Sequence, residues 1–281
     1  MPTARRALPA VLCVVLSAAP AVAQDALARL RAAGTVRVGF PNQVPYAYAD
    51  ETGKLTGADA EIARLVFARM GVRTMDGVLT EFAALIPGLR AKRFDTVLAM
   101  FVTPARCAQV AFSEPVYAIG QGMVVKDGNP AGIAGYDDFA RKPLRLAVMA
   151  GAAQAGYAKA LGIPEDRVVA FPDGPSAMAA VSAGRADAFG ISDLPARRLL
   201  ATAGPGSGLQ LVPGFPDPVI DGRAARGYDA FAFRPADTGL QAAFNAALAE
   251  LKATPEFLAA MAPFGFTQAN LPDRTTDALC Y

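Results

Sequence analysis

The chain has 281 residues, 53% of them hydrophobic, and its 27 Lys and Arg nearly balance 25 Asp and Glu. So neutral a chain offers no electrostatic footprint for nucleic acid or an anionic membrane surface. It contains no histidine and only 3 cysteines, which removes Ser-His-Asp and Cys-His catalysis, the commonest zinc ligand and a thiolate metal centre; no cofactor or metal is expected.

Met1 to Ala23 carries Arg5-Arg6, then an apolar stretch, then Ala21-Val22-Ala23. That is the pattern of a secretory signal peptide, residues 1–23, cleaved after Ala23. The stretch falls short of the about 20 apolar residues a membrane anchor needs. The expectation is a soluble exported protein. Two cysteines then remain, Cys107 and Cys280. In an oxidising compartment an even pair suggests one disulfide, worth at most roughly 5 kcal/mol by chain entropy; the alternative is two unpaired thiols.

A short helix over Asp25 to Ala33 is followed by the alternating strand Val36 to Phe40, then by a turn-rich loop. Ala58 to Met70 places Ile62, Leu65, Val66 and Met70 on one helical face, ended by Gly71. A strand lies around Val78, and a second helix over Glu81 to Arg90 despite Pro87-Gly88. Asp95 to Met100 is almost wholly apolar, as in a sheet covered on both faces. The middle of the chain repeats the alternation. Strands fall at Leu144 to Val148, Val168 to Phe171 and Ala186 to Ile191, with helices after Ala150, over Ser176 to Ala183, and at Arg197 to Leu200 beyond a loop at Leu194-Pro195. The tail adds a strand at Tyr228 to Phe233 and helices over Asp237 to Ala253 and Pro255 to Ala262. The fold class is therefore α/β with parallel strands in two lobes.

Ligands of such folds bind where loops at the carboxyl ends of strands meet. The loop after Phe40 offers Gln43 and Tyr46; the Thr96 to Met100 strand runs out into Phe101 and Arg106; Phe82 opens a helix. The loop Ala150 to Gln154 leads into a helix N-terminus, whose free N–H groups favour an anion or polar group. Each has a plainer reading: Arg106 at the surface, and Tyr46, Phe82 and Phe101 in the core. Together they read as a guanidinium grip for a carboxylate and an aromatic box for a cation.

FSEPVYAIGQGMVVKDG (Phe112 to Gly128), AALIPGLRAKRFDTVLA (Ala83 to Ala99), Thr103 to Arg106 and GRADA (Gly184 to Ala188) are, in order and spacing, similar to the polar amino-acid binding proteins of ABC importers. FPDGPSA (Phe171 to Ala177), YDAFAFRPADTGLQAAFN and the closing TTDALC resemble the ectoine- and hydroxyectoine-binding branch. The resemblance implies a two-lobed type II periplasmic binding fold with two crossover hinge segments, near Val116 to Gln121 and Gly222 to Tyr228. Residues 24–117 and 224–281 would form lobe 1, and 118–223 lobe 2. It implies a periplasmic monomer that delivers a small zwitterion to an inner-membrane ABC permease. Arg106 would hold the carboxylate, Tyr46, Phe82 and Phe101 would cage the cationic ring, and Cys107 and Cys280 would pair. The chain departs from the branch at Gln43, where a glutamate is usual, and at Ala153, where a threonine is usual. In the broader family a second-lobe aspartate binds the ammonium; Asp193 is the nearest candidate and Ser192 the alternative. The same fold resembles exported cyclohexadienyl dehydratases, for which Glu81, Asp193 or one of a few other carboxylates would have to act as acid or base, and sensory binding proteins that dock on a receptor.

Overall fold

The computed structural model describes residues 25–281; the signal-peptide reading of residues 1–23 lies outside them. Strands and helices alternate around two separate sheets. In the first, Thr74–Leu79, Thr35–Phe40 and Thr96–Phe101 run parallel, and Gly227–Phe233 joins antiparallel to the last of them. In the second, Val168–Phe171, Leu146–Met149 and Ala188–Ser192 are parallel, and Gln121–Lys126 lies antiparallel beside Ala188–Ser192. The expected all-parallel pattern thus holds for three strands of each sheet. The antiparallel member is in each case the strand that adjoins a crossing between the sheets.

The crossings are short. Tyr117–Ile119 pairs with Gly227–Phe233 in the first sheet, and Gln121 already pairs with Ser192 in the second, so only Gly120 separates the two. On the return, the chain leaves the hairpin of Val219–Ile220 and Arg223–Ala224 and enters the first sheet at Gly227. Gln121 ties these crossings together. Its backbone N–H donates to Asp217 Oδ1 (2.7 Å) and its side-chain amide donates to the Ala225 carbonyl (3.4 Å).

Burial follows the sequence pattern closely. The Ala58–Arg69 helix buries Ile62, Val66 and Phe67 against Thr238–Lys252 and the first sheet, and Leu65 is half-buried at its edge. The Thr96–Phe101 and Gly227–Phe233 strands are buried at every residue, as central strands covered on both faces must be. The helix expected over Glu81 to Arg90 is split into a 3₁₀ turn, Phe82–Ala84, and a helix, Leu85–Arg90. Pro87 fits because it stands in the first turn, where its missing N–H has no partner to lose. Gly88 is required by packing: a Cβ there would stand 2.7 Å from the buried ring of Phe94. Leu194-Pro195 is not a loop but the first turn of the Asp193–Ala203 helix, for the same reason.

The chain's polar end forms a further short helix, Thr276–Cys280, capped by the Thr275 hydroxyl. Cys280 is bonded to Cys107, with Cα atoms 5.8 Å apart, so this helix is strapped to the first lobe. Among the described residues no helix is long and apolar enough to cross a membrane.

Candidate functional site

The carboxyl ends of the parallel strands of both sheets face each other across a cleft, and the loops that follow them close over a small cavity. Gln43, Tyr46, Phe82, Phe101, Arg106 and Ala153 all line it. Six of the seven residues singled out from the sequence are therefore brought together.

Arg106 does not sit in a loop at the strand end. Thr103-Pro104 starts a four-residue helix, Pro104–Cys107, in which the Thr103 hydroxyl accepts from the Arg106 N–H (3.4 Å) and Pro104 takes the first helical position. That turn swings the guanidinium back over the strand it came from. Nη1 donates to the Phe101 carbonyl at 2.6 Å, and Nη2 donates to the Gly151 carbonyl of the second lobe at 2.9 Å. The Arg106 guanidinium carbon stands 5.3 Å from the centre of the Phe82 ring. Arg106 is 7% exposed and has no carboxylate within ion-pair distance. Burial pulls its pKa down to about 10, so it keeps its charge at neutral pH.

The aromatic wall is equally specified. Gln43 and Ala47 exchange backbone hydrogen bonds (2.8 and 3.1 Å) around a tight turn that turns Tyr46 inward. Tyr46 is 1% exposed, stacked on Tyr117 (5.6 Å between centroids) and edge-on to Phe101 (6.1 Å). Phe101 lies flat on Gly227, where a Cβ would come within 2.3 Å of the ring. Glycine at 227 is thus the condition for Phe101 to reach the cavity.

The second lobe supplies the Ala153–Ala160 helix, whose first N–H groups have no partner within the helix, and whose second residue, Gln154, is buried. Gln154 Nε2 donates to Gln121 Oε1 at 2.9 Å, which links the cavity wall to the crossings. Ser192 and Met149, both at strand ends, complete that side. Gln154 and Met149 were not singled out from the sequence. Their signal was positional: each is the last residue of a strand or the first buried polar residue after one.

Asp193 is the exception. It does not line the cavity; its carboxylate accepts from Arg197 Nε at 2.9 Å, one turn along the Asp193–Ala203 helix. Ser192 is the last residue of its strand, whereas Asp193 begins the helix that follows, where Arg197 one turn on holds its carboxylate. The alternative, Ser192, stands in the lining. Glu81 is exposed and lies outside the lining as well. The cavity lining therefore holds one guanidinium, two amides, the hydroxyls of Ser192 and Tyr46, and aromatic faces, and no carboxylate. It can hold an anion at Arg106 and an apolar or cationic body against the rings.

Residues 36–266 match the bacterial extracellular solute-binding proteins, family 3. A protein of Sinorhizobium fredii (strain NBRC 101917 / NGR234), named as a probable amino-acid ABC transporter periplasmic-binding protein, is 37% identical over 277 residues, 96% of this chain and 91% of that protein. Among solved structures, EhuB in complex with hydroxyectoine superposes with a TM-score of 0.83 at 32% identity, covering 92% of this chain and 98% of EhuB. An ancestral arginine-binding protein bound to arginine gives a TM-score of 0.72 at 28% identity, over 83% of this chain and 99% of that one.

Proposed function

Because the chain belongs to family 3 of the bacterial extracellular solute-binding proteins, with their two-lobed type II periplasmic binding fold, we propose that it captures a small zwitterion between its lobes. The ligand class is ectoine, hydroxyectoine or a related compatible solute or polar amino acid. The protein then delivers it, from the periplasm and as a monomer, to an inner-membrane ABC permease. Lobe 1 is residues 24–117 and 224–281 and lobe 2 is 118–223, hinged at the two short crossings.

The observation that carries this reading is Arg106. A buried guanidinium that keeps its charge and is met only by two carbonyls is a site short of an anion. The Gly151 bond is the one that crosses between the lobes. A ligand carboxylate that accepts from Arg106 would take part in that same closure. The likeness to EhuB supports a cationic ring against Tyr46, Phe82 and Phe101. Gln43, in place of the branch's glutamate, leaves that ring without a countercharge in the lining, and Ala153 offers no hydroxyl.

No catalysis is part of this function. No carboxylate, Glu81 and Asp193 included, stands in the lining to serve as the acid or base of a dehydratase. Prephenate is accordingly expected to remain unchanged in the protein's presence. Titration calorimetry with ectoine, hydroxyectoine and a panel of amino acids tests the ligand class, and binding of none of them would sink it.

A further inference from the structure

Two acids meet in the first lobe with too few donors between them. Asp59 stands in the first turn of the Ala58–Arg69 helix and is fully buried; Asp229 lies on the Gly227–Phe233 strand, also buried. In the sheet Asp229 is paired with Phe101 on one side and Tyr117 on the other, which puts it directly behind the aromatic wall of the cavity. The Tyr117 hydroxyl donates to Asp59 Oδ2 at 3.1 Å. The other Asp59 oxygen and both oxygens of Asp229 have no donor among the described residues, and both acids adjoin Tyr117, Asp59 at its hydroxyl and Asp229 as its cross-strand neighbour.

Leaving three buried carboxylate oxygens without donors is strongly unfavourable, and two ionised carboxylates side by side repel each other as well. One proton between them removes both penalties, because it turns one carboxyl into the donor the other lacks. The titratable groups that face this pair are Tyr117 from its strand, Tyr46 from the loop before the helix, and Arg106 from its four-residue helix. Burial raises both acids, Asp59 to about 7 and Asp229 well above the usual carboxylate range, and the Arg106 charge pulls Asp229 part of the way back.

We propose that Asp59 and Asp229 share one proton, and that the single negative charge left on the pair balances Arg106 while the cleft holds no ligand. When an anion settles on Arg106, that balance is no longer needed. The pair then takes a second proton from solvent, and the added hydrogen ends on the carboxyl that carried the charge. Solute capture is thereby coupled to uptake of a proton. The coupling to capture rests on the reading of Arg106 as the carboxylate grip; the shared proton does not.

The test uses the full chain without ligand, labelled with carboxyl-¹³C aspartate and titrated by NMR. Two carboxyl signals are expected to titrate above all the others, with one proton still held by the pair near neutral pH. R106Q removes the facing positive charge and should raise the pair's midpoint by about one pH unit or more. R106K keeps the charge and should leave the midpoint where it is, which separates charge from packing. D229N supplies a permanent donor to Asp59 and should lower the Asp59 midpoint, a second readout that leaves the cavity lining intact. Ordinary titration of every aspartate overturns the shared proton, and an unmoved midpoint in R106Q overturns its link to Arg106. Neither result depends on whether hydroxyectoine or any amino acid binds, so failure here is distinct from failure of the ligand class.

Discussion

The first sheet buries charge at both ends, and it treats the two ends oppositely. At the end away from the cleft, Asp95 is 1% exposed and is met by Arg29 at 2.8 Å, Arg37 at 3.4 Å and Arg234 at 3.7 Å. The Arg37 N–H also donates to it. At the cleft end, Arg106 has two carbonyls and no carboxylate, and Asp59 and Asp229 have one phenol between them. The first end is saturated with partners and serves to hold three segments together. The second is left short of them, so that a ligand or a proton can complete it. The same residue types at the same depth thus serve stability or binding according to whether their hydrogen bonds are already filled.

Among the charged residues, the largest expected effect on stability tests the saturated end. Asp95→Ala removes the shared acceptor of Arg29 and Arg37, which are half-exposed, and of Arg234, which keeps Asp237, and should cost about 2–3 kcal/mol of stability by denaturant unfolding, with ligand affinity unchanged. At the open end, Arg106→Ala should remove about 2–5 kcal/mol of binding, a loss of roughly 30-fold to several thousand-fold by calorimetry, with a melting temperature little changed or raised. Equal losses of stability in both variants would erase the contrast. Reducing Cys107–Cys280, or replacing both with serine, should cost about 2–4 kcal/mol in the same unfolding assay.

The two ends should also answer pH with opposite sign. Burial tends to raise Asp95, but its bonds to Arg29 and Arg37 outweigh this and hold it below the usual 3.8. Its stabilising contribution is present above that value and is lost as pH falls below it. Asp59 is raised by burial to about 7, so its contribution is full below 3.8 and is lost as pH rises toward 7. One proton gives at most about 1.4 kcal/mol per pH unit. Asp59→Asn should flatten the loss between pH 4 and 7, and Asp95→Asn the loss below 4; thermal melts across pH read both. The smallest effect sharpens the ligand side. Gln43→Glu adds a countercharge at the cavity and should strengthen binding of a cationic-ring solute by less than about 1 kcal/mol, a few-fold in affinity.

Much of this was legible from the sequence because strand ends and turn residues are local signals. Gln43, Tyr46, Phe101 and Arg106 each follow the carboxyl end of an apolar strand, and in an α/β lobe such ends share one rim. What failed was finer. Asp193 opens a helix and is held by Arg197 instead of lining the cavity, and the helical turn at Thr103-Pro104 is too short to carry a periodic pattern. Leu194-Pro195 looked like a loop because a proline there fits a loop and a first helical turn equally well. The Asp59 and Asp229 pair was not legible at all. Each is an ordinary acid in its own segment, and they meet only because Gly227–Phe233 returns antiparallel to Thr96–Phe101 beside the helix that bears Asp59.

The strap between the last helix and the helix of Arg106 has a consequence for the order in which the site can be assembled. Its two sulfurs are separated by 173 residues, and Phe101 rests on a glycine of a strand that is itself far along the chain. The helix that carries Arg106 and the ring of Phe101 are therefore both seated on segments met much later in the sequence, so this wall of the cavity is complete only when distant parts of the chain have come together.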